Sequence, residues 1–193
     1  MSPLSVRSVV LTGAPAAGKT VIALCLASEF PERFAVVPEA ATQVYQALHT
    51  RWSKLDKAGR CDVQRRIYRL QVEQEAHCRE ADPGKTLIVD RGTLDGAAYW
   101  PGGSDDYWRD LGTSCQIELA RYDMVVWLQS TAAIRLYDGR ASNFCRSENP
   151  DEAVRIGERL KEIWQVHPRL HCIMAAPSIE EKYAAVLRLL APT

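Results

Sequence analysis

Gly13-Ala14-Pro15-Ala16-Ala17-Gly18-Lys19-Thr20 decides how this chain folds, because it fills every fixed position of the Walker A pattern G-x-x-x-x-G-K-[ST]. The octapeptide follows an apolar run, SVVLT at 8–12, and leads into a helical pattern carrying Val21, Ile22, Leu24 and Leu26. A strand, a tight turn and a helix in that order aim successive backbone N–H groups at one point, beside the positive end of a helix dipole, where a phosphate is stabilised. Gly13 and Gly18 allow backbone geometry that a side chain would obstruct, and Ala14, Pro15, Ala16 and Ala17 complete the turn between them. Lys19 is placed to reach the β- and γ-phosphates of ATP, and the Thr20 hydroxyl to ligate Mg²⁺.

Outward from the loop, further Val-, Ile- and Leu-rich runs alternate with amphipathic stretches: FAVV at 34–37, TLIVD at 86–90, MVVWLQ at 124–129 and LHCIMA at 170–175. Continuous apolar strands separated by helices predict βαβ units and a buried parallel sheet, hence an α/β fold. Helical spacing joins Val63, Ile67 and Leu70, then Ile156, Leu160 and Ile163, then Ile179, Tyr183, Val186, Leu187 and Leu190, and each set predicts one buried face. Asn149 before Pro150, Asp151 and Glu152 reads as an N-cap, a first-turn proline and acidic residues at the positive helix end, with that helix ending near His167-Pro168. Ser178 and Glu181 predict a capping box that opens the last helix. WPGGSDD at 100–106 and the polar stretch 137–149 read as irregular. No linker or repeat divides the 193 residues, which predicts a single domain over 1–193.

The run Leu87-Ile88-Val89-Asp90 ends in a carboxylate at the carboxyl end of a parallel strand, the Walker B position from which Asp90 can reach the magnesium ion. Arg91, Gly92 and Asp95 follow at once. With its acidic-Arg pair at this strand end, the chain resembles the P-loop kinases, among them thymidylate and deoxynucleoside kinases. It is most similar to the AAA-like ATPase and kinase group that includes the ribosylnicotinamide kinase domain of bacterial NAD-synthesis regulators. The resemblance implies a three-layer P-loop NTPase fold, with a mostly parallel five-stranded sheet in the order 2-3-1-4-5. It also implies that Glu39, in FAVVPEAAT, sits near the acceptor hydroxyl as base or orienting group, and that Arg91 holds the acceptor or the phosphates. The polar segment 131–149 corresponds to the lid of such kinases, whose arginines close over the phosphates. Arg135 and Arg140 are its expected contacts, five apart where the tidiest lid pattern is R-x-x-x-R. Ala175, Ala176 and Pro177 fall where adenine lies in similar folds, and the helix at 63–75 resembles the acceptor-lining helix, with Tyr68 and Gln71 as candidate acceptor contacts.

Composition sets the outer limits. The 24 basic and 24 acidic residues cancel, so no global positive field draws the chain to nucleic acid or an anionic membrane. No apolar stretch approaches a membrane-spanning length and the N-terminal residues lack a signal-peptide pattern, which predicts a cytoplasmic protein without a membrane partner. The six cysteines are scattered singly and read as buried thiols, and the four histidines form no ligand-spaced cluster. Trp100 to Gly103 reads as a packed turn with an aromatic plug, or a surface beside the acceptor.

The expected function is transfer of the ATP γ-phosphoryl group to a hydroxyl or phosphate of a small nucleoside- or nucleotide-like acceptor. An ATP-dependent regulatory switch and a polynucleotide 5′-hydroxyl kinase use the same phosphate machinery and stay open. No N-K-x-D sequence supports a GTPase. Neither the acceptor nor the oligomeric state is encoded in a motif.

Overall fold

The computed structural model describes residues 7–130 and 150–191. The five apolar runs form strands β1 (Ser8–Thr12), β2 (Phe34–Val37), β3 (Thr86–Asp90), β4 (Met124–Leu128) and β5 (Leu170–Ile173). They build one parallel sheet in the order β2-β3-β1-β4-β5. This is the P-loop kinase order, with helices on both faces. The two C-terminal strands stop at Leu128 and Ile173, shorter than the runs ending at 129 and 175. Gln129 still donates its N–H to Ile173 O, but Ala175 N turns to the Gln129 side-chain oxygen at 2.9 Å, which ends the ladder.

Alternation along a pleated strand distributes one apolar run between two cores. Val9 and Leu11 of β1 face the first core with Ile22 and Leu26 of α1 (Lys19–Glu29) and Val186 of α8 (Ile179–Leu189). Val10 faces the second, with Leu87, Val125 and Trp164, the last residue of α7 (Pro150–Trp164). Burying a leucine or valine this completely stabilises the fold by about 1.5–3 kcal/mol, and Val9, Val10, Leu11, Ile22 and Leu26 are wholly buried. The capping pair is in place, with Ser178 Oγ accepting from Glu181 N–H.

Other sequence expectations need correction, beginning with the helix expected to end near His167-Pro168, which ends at Trp164. The helix expected at 63–75 is α3 (Lys57–Ala81), 25 residues long, capped by Asp56, whose Oδ1 accepts from Gly59 N–H. Its buried residues are Val63, Gln64, Gln71 and Glu75, whereas Ile67 and Leu70 are only half-buried. The inward face is polar because it lines a cleft and a hydrogen-bond network. The stretch read as irregular at 100–106 turns helical at Ser104, opening α5 (Ser104–Leu111), and two short helices flank it, α4 (Asp95–Tyr99) and α6 (Cys115–Leu119). The cysteines are less buried than expected: Cys25, Cys61, Cys78 and Cys115 are half-buried and Cys172 is exposed, while Cys145 lies outside the described residues.

Candidate active site

The carboxyl ends of β1, β2 and β3 converge, and register explains why: Leu11 pairs with Asp90 and Val37 with Val89, so the segments leaving all three strands emerge side by side. After β1 the chain makes the phosphate-binding loop, with φ of 131° at Gly13, 57° at Ala16 and 95° at Gly18. A Cβ at Gly13 would stand 2.2 Å from Leu128 O, so both its dihedral and its neighbour require glycine. Lys19 is 3% exposed and lies across the loop, donating to Gly13 O at 2.9 Å and Ala14 O at 2.8 Å. Among the described residues α1 has neither a side-chain cap nor an acidic residue in its first turn. By contrast, Asp56, Ser114 and Ser178 cap α3, α6 and α8. The first amides of α1 are therefore left for an anion.

Thr20 Oγ1 donates to Asp90 Oδ2 at 2.5 Å. Asp90 is 1% exposed, and its other oxygen, Oδ1, is buried with no hydrogen-bond partner among the described residues. A buried carboxylate oxygen without a partner, beside a hydroxyl at the mouth of a phosphate loop, fits a hard divalent cation such as Mg²⁺. Burial raises the Asp90 pKa, with Glu39 adding to the rise and Lys19 opposing it.

Arg91, at φ 74°, turns back from β3 into a buried cluster. Its Nε donates to Glu39 Oε1 at 2.6 Å, and its Nη1 reaches Asp95 Oδ2 at 3.2 Å and Gly13 O at 3.4 Å. Glu39 ends the segment after β2 and stands before α2 (Ala40–Ala47), where it also accepts from Thr42 Oγ1 at 2.6 Å. Burial alone would raise the Glu39 carboxyl, but the charges of Arg91 and Lys19 and hydrogen bonds from Thr42 and Arg91 outweigh it and hold the pKa at about 2. Burial works against the Arg91 charge, yet the facing Tyr99, Glu39 and Asp95 keep it firmly protonated. Asp95 in turn accepts at Oδ1 from Thr12 Oγ1 at 2.8 Å and from Trp164 Nε1 at 2.7 Å. The cluster thus ties the tips of β1, β2 and β3 to α7.

Beside it opens a cleft. Pro15 of the phosphate loop, Glu39, Arg91 and Asp95 form one wall. Tyr45 of α2, Trp52 of a 3₁₀ turn (Trp52–Lys54), Tyr68 of α3, Tyr99 of α4 and Tyr107 of α5 line the remainder, with Gln64 and Gln71. Tyr68 and Gln71 thus do reach the cleft. The Tyr68 hydroxyl donates to Glu118 Oε1 at 2.8 Å, and burial with that carboxylate pushes its pKa up to about 12. Gln71 Nε2 donates to Glu75 Oε1 at 3.0 Å, and Glu75 is held from behind by Arg121 at 2.7 Å and by the Tyr122 hydroxyl at 2.7 Å. Trp100 is absent from the cleft's described lining. Its Nε1 donates to Asp106 Oδ2 and its ring packs on Tyr107, making it the aromatic plug of a turn.

Sequence reasoning missed Asp95 as the anchor of Arg91, because the pair meets across the turn between β3 and α4 and not on one helix face. Thr12, Trp164, Tyr45 and Trp52 carry no local signal of their roles. Arg135, Arg140 and the expected N-cap Asn149 lie outside the described residues.

A family model described as the AAA domain matches residues 8–182, from β1 into α8. The chain belongs to this AAA domain family. Solved structures similar to this AAA domain include the NadR protein in complex with NAD and AMP-PNP, at 14% identity and TM-score 0.64 over 98% of this chain. The chain spans 51% of that protein's length. Deoxyadenosine kinase from M. mycoides, solved with dCMP and dCDP, aligns at 13% identity and TM-score 0.66 over 95% of this chain and 98% of its own. Thymidylate kinase from Candida albicans aligns at 13% identity and TM-score 0.66, over 96% and 91%. At such identity the likeness is one of fold, a P-loop kinase-like fold. A search of curated proteins gives no match. Among the described residues no helix of this AAA domain is long and apolar enough to cross a membrane.

Proposed function

We propose that this protein is a cytoplasmic ATP-dependent phosphotransferase, one domain whose lid lies at 131–149, moving the γ-phosphoryl group of ATP onto a small acceptor held in the cleft. One observation carries the reading: Pro15 of the phosphate loop and the Glu39–Arg91–Asp95 cluster line the same cleft wall, so an acceptor in the cleft abuts the bound phosphates. The similar solved kinases support the class without naming the acceptor.

In this mechanism the amides of 13–20 and the Lys19 ammonium hold the β- and γ-phosphates. Thr20 and Asp90 would hold Mg²⁺, which when bound offsets phosphate charge. Glu39 orients the acceptor's nucleophilic oxygen, and Arg91, fixed by two carboxylates, places a permanent positive charge beside the transferred group. Arg135 or Arg140 would add charge from the lid.

Incubation of the full chain with γ-labelled ATP, Mg²⁺ and a panel of small hydroxyl compounds, beside Lys19→Ala, tests the proposal. Label is expected on a panel member, with kcat reduced by about 10²–10³ or more in the variant. Release of inorganic phosphate alone, with no labelled acceptor, would favour a regulatory ATPase and overturn the reading. Transfer to 5′-hydroxyl oligonucleotides that weakens steeply with salt would favour an end kinase instead.

A further inference from the structure

We infer that the cleft selects a phosphate-free acceptor, an uncharged ring-bearing alcohol of nucleoside size, and that the protein phosphorylates it at a hydroxyl. The inference rests on the kinase reading and narrows it, because that reading is equally compatible with an acceptor that is itself a phosphate ester.

Charge argues first. Among the described residues lining the cleft, Arg91 is the only basic one, and it faces two acids, Glu39 and Asp95. Its guanidinium is engaged by Glu39 at 2.6 Å and by Asp95 at 3.2 Å, so the described residues of the wall offer an acceptor phosphate no uncommitted cation. A phosphate monoester carries close to two negative charges at neutral pH. Bringing it beside the ionised Glu39 without its own cation would cost desolvation and repulsion together. Arg60 of α3 is absent from that lining; it lies behind the cleft-lining Trp52 with Cζ 4.6 Å from the ring centre, and its Nε is buried with no hydrogen-bond partner among the described residues, which makes it the cation to test.

The remaining walls fit a flat, uncharged ring. Tyr45, Trp52, Tyr99 and Tyr107 provide aromatic surface, with Trp52 and Tyr99 edge-to-face at 6.0 Å between centroids. Gln64 and Gln71 provide amide groups for hydrogen bonding, Gln71 fixed in orientation by Glu75.

The chemistry agrees. A phosphate acceptor attacks through an oxygen that is already anionic, whereas an alcohol must lose a proton as its oxygen bonds to phosphorus. Glu39 stands where that proton can be received. The alcohol oxygen forms a bond to the γ-phosphorus, the bond from that phosphorus to the β–γ bridging oxygen breaks, ADP leaves with the bond's electron pair, and the hydroxyl proton passes to Glu39 and on to water. The products are a phosphate monoester, ADP and one proton.

The test uses matched pairs, each nucleoside beside its own 5′-monophosphate, with the full chain, Mg²⁺ and γ-labelled ATP. Label is expected on the nucleoside, with kcat/KM at least about tenfold higher than for the partner monophosphate. Comparable or better transfer to the monophosphates would overturn the inference and leave the kinase reading intact. Loss of that transfer in Arg60→Gln would identify the cation responsible. If no compound is labelled, the inference is overturned, while the kinase reading is decided by the broader panel beside Lys19→Ala. Calorimetry of the same pairs with AMP-PNP present then reads the selectivity alone, which tighter binding of the monophosphates, or binding of neither, would overturn as well.

Discussion

The phosphate loop and the aromatic cleft beside it share a wall, yet they are built by different means. The first is eight consecutive residues whose backbone makes the site, shaped by positive φ at Gly13, Ala16 and Gly18. The second is assembled from side chains on α2, α3, α4, α5 and a 3₁₀ turn, between residues 39 and 107. A backbone site binds what every nucleoside triphosphate has in common, so it accepts little change. A side-chain site can be rebuilt one residue at a time while the reaction stays the same. The Glu39–Arg91–Asp95 cluster joins the two.

If the cluster is the joint, its removal should have the largest effect. Asp95→Ala strips Arg91 of one carboxylate and leaves the Thr12 hydroxyl and Trp164 indole unpaired in a buried site. We expect a stability loss of about 3–5 kcal/mol, measured by urea denaturation. A loss below about 1 kcal/mol would mean that Glu39 alone anchors Arg91, and that the two ends are less tightly joined than their geometry implies.

The next effect is a pH dependence. Glu39 has a folded-state pKa of about 2 against an ordinary 4.5. Its contribution is therefore fully present above about pH 4.5 and is lost as pH falls toward 2, and a displacement of this size corresponds to roughly 3 kcal/mol. Burial displaces the Asp90 and Asp95 pKa values upward, so they titrate with the opposite sign and mask part of the acid limb. The informative quantity is the stability of the wild type minus that of Glu39→Gln, from denaturation at several pH values. That difference should shrink on acidification; a difference constant from pH 6 to pH 3 would place the Glu39 charge outside the cluster's stabilisation.

The same contrast explains what the sequence made legible. The five strands were readable because a parallel sheet buried on both faces requires continuous apolar runs, and the phosphate loop because its geometry needs fixed residue types at fixed spacing. Asp90 was readable from its place at a strand end. The aromatic cleft wall was not, because α3 turns Gln64, Gln71 and Glu75 inward while Ile67 and Leu70 stay half-exposed, inverting the hydrophobic pattern that marks a buried face. Trp164 bonds to Asp95 across 69 residues, a contact that local periodicity does not encode.

Lys182 offers the subtlest way to break the comparison, because it is a side chain on α8 that supports the backbone site from behind. Lys182 is 2% exposed, and its ammonium donates to Ala17 O in the phosphate loop at 3.2 Å and to Gln129 O after β4 at 2.7 Å. Burial lowers its pKa, so the position is costly for the charge, and the two carbonyls offset that cost. One turn earlier, Ile179 closes on Gly18, with its Cδ1 2.3 Å from where a Cβ would stand. Lys182→Met keeps the apolar stem and removes both hydrogen bonds, for an expected stability loss of about 1.5–3 kcal/mol. If the loop depends on this support, AMP-PNP affinity measured by calorimetry should fall about tenfold beyond what the stability loss alone explains, with kcat nearly unchanged at saturating ATP. If affinity holds while stability falls, the loop keeps its shape from its own dihedrals, and the phosphate end is a backbone site in the strict sense.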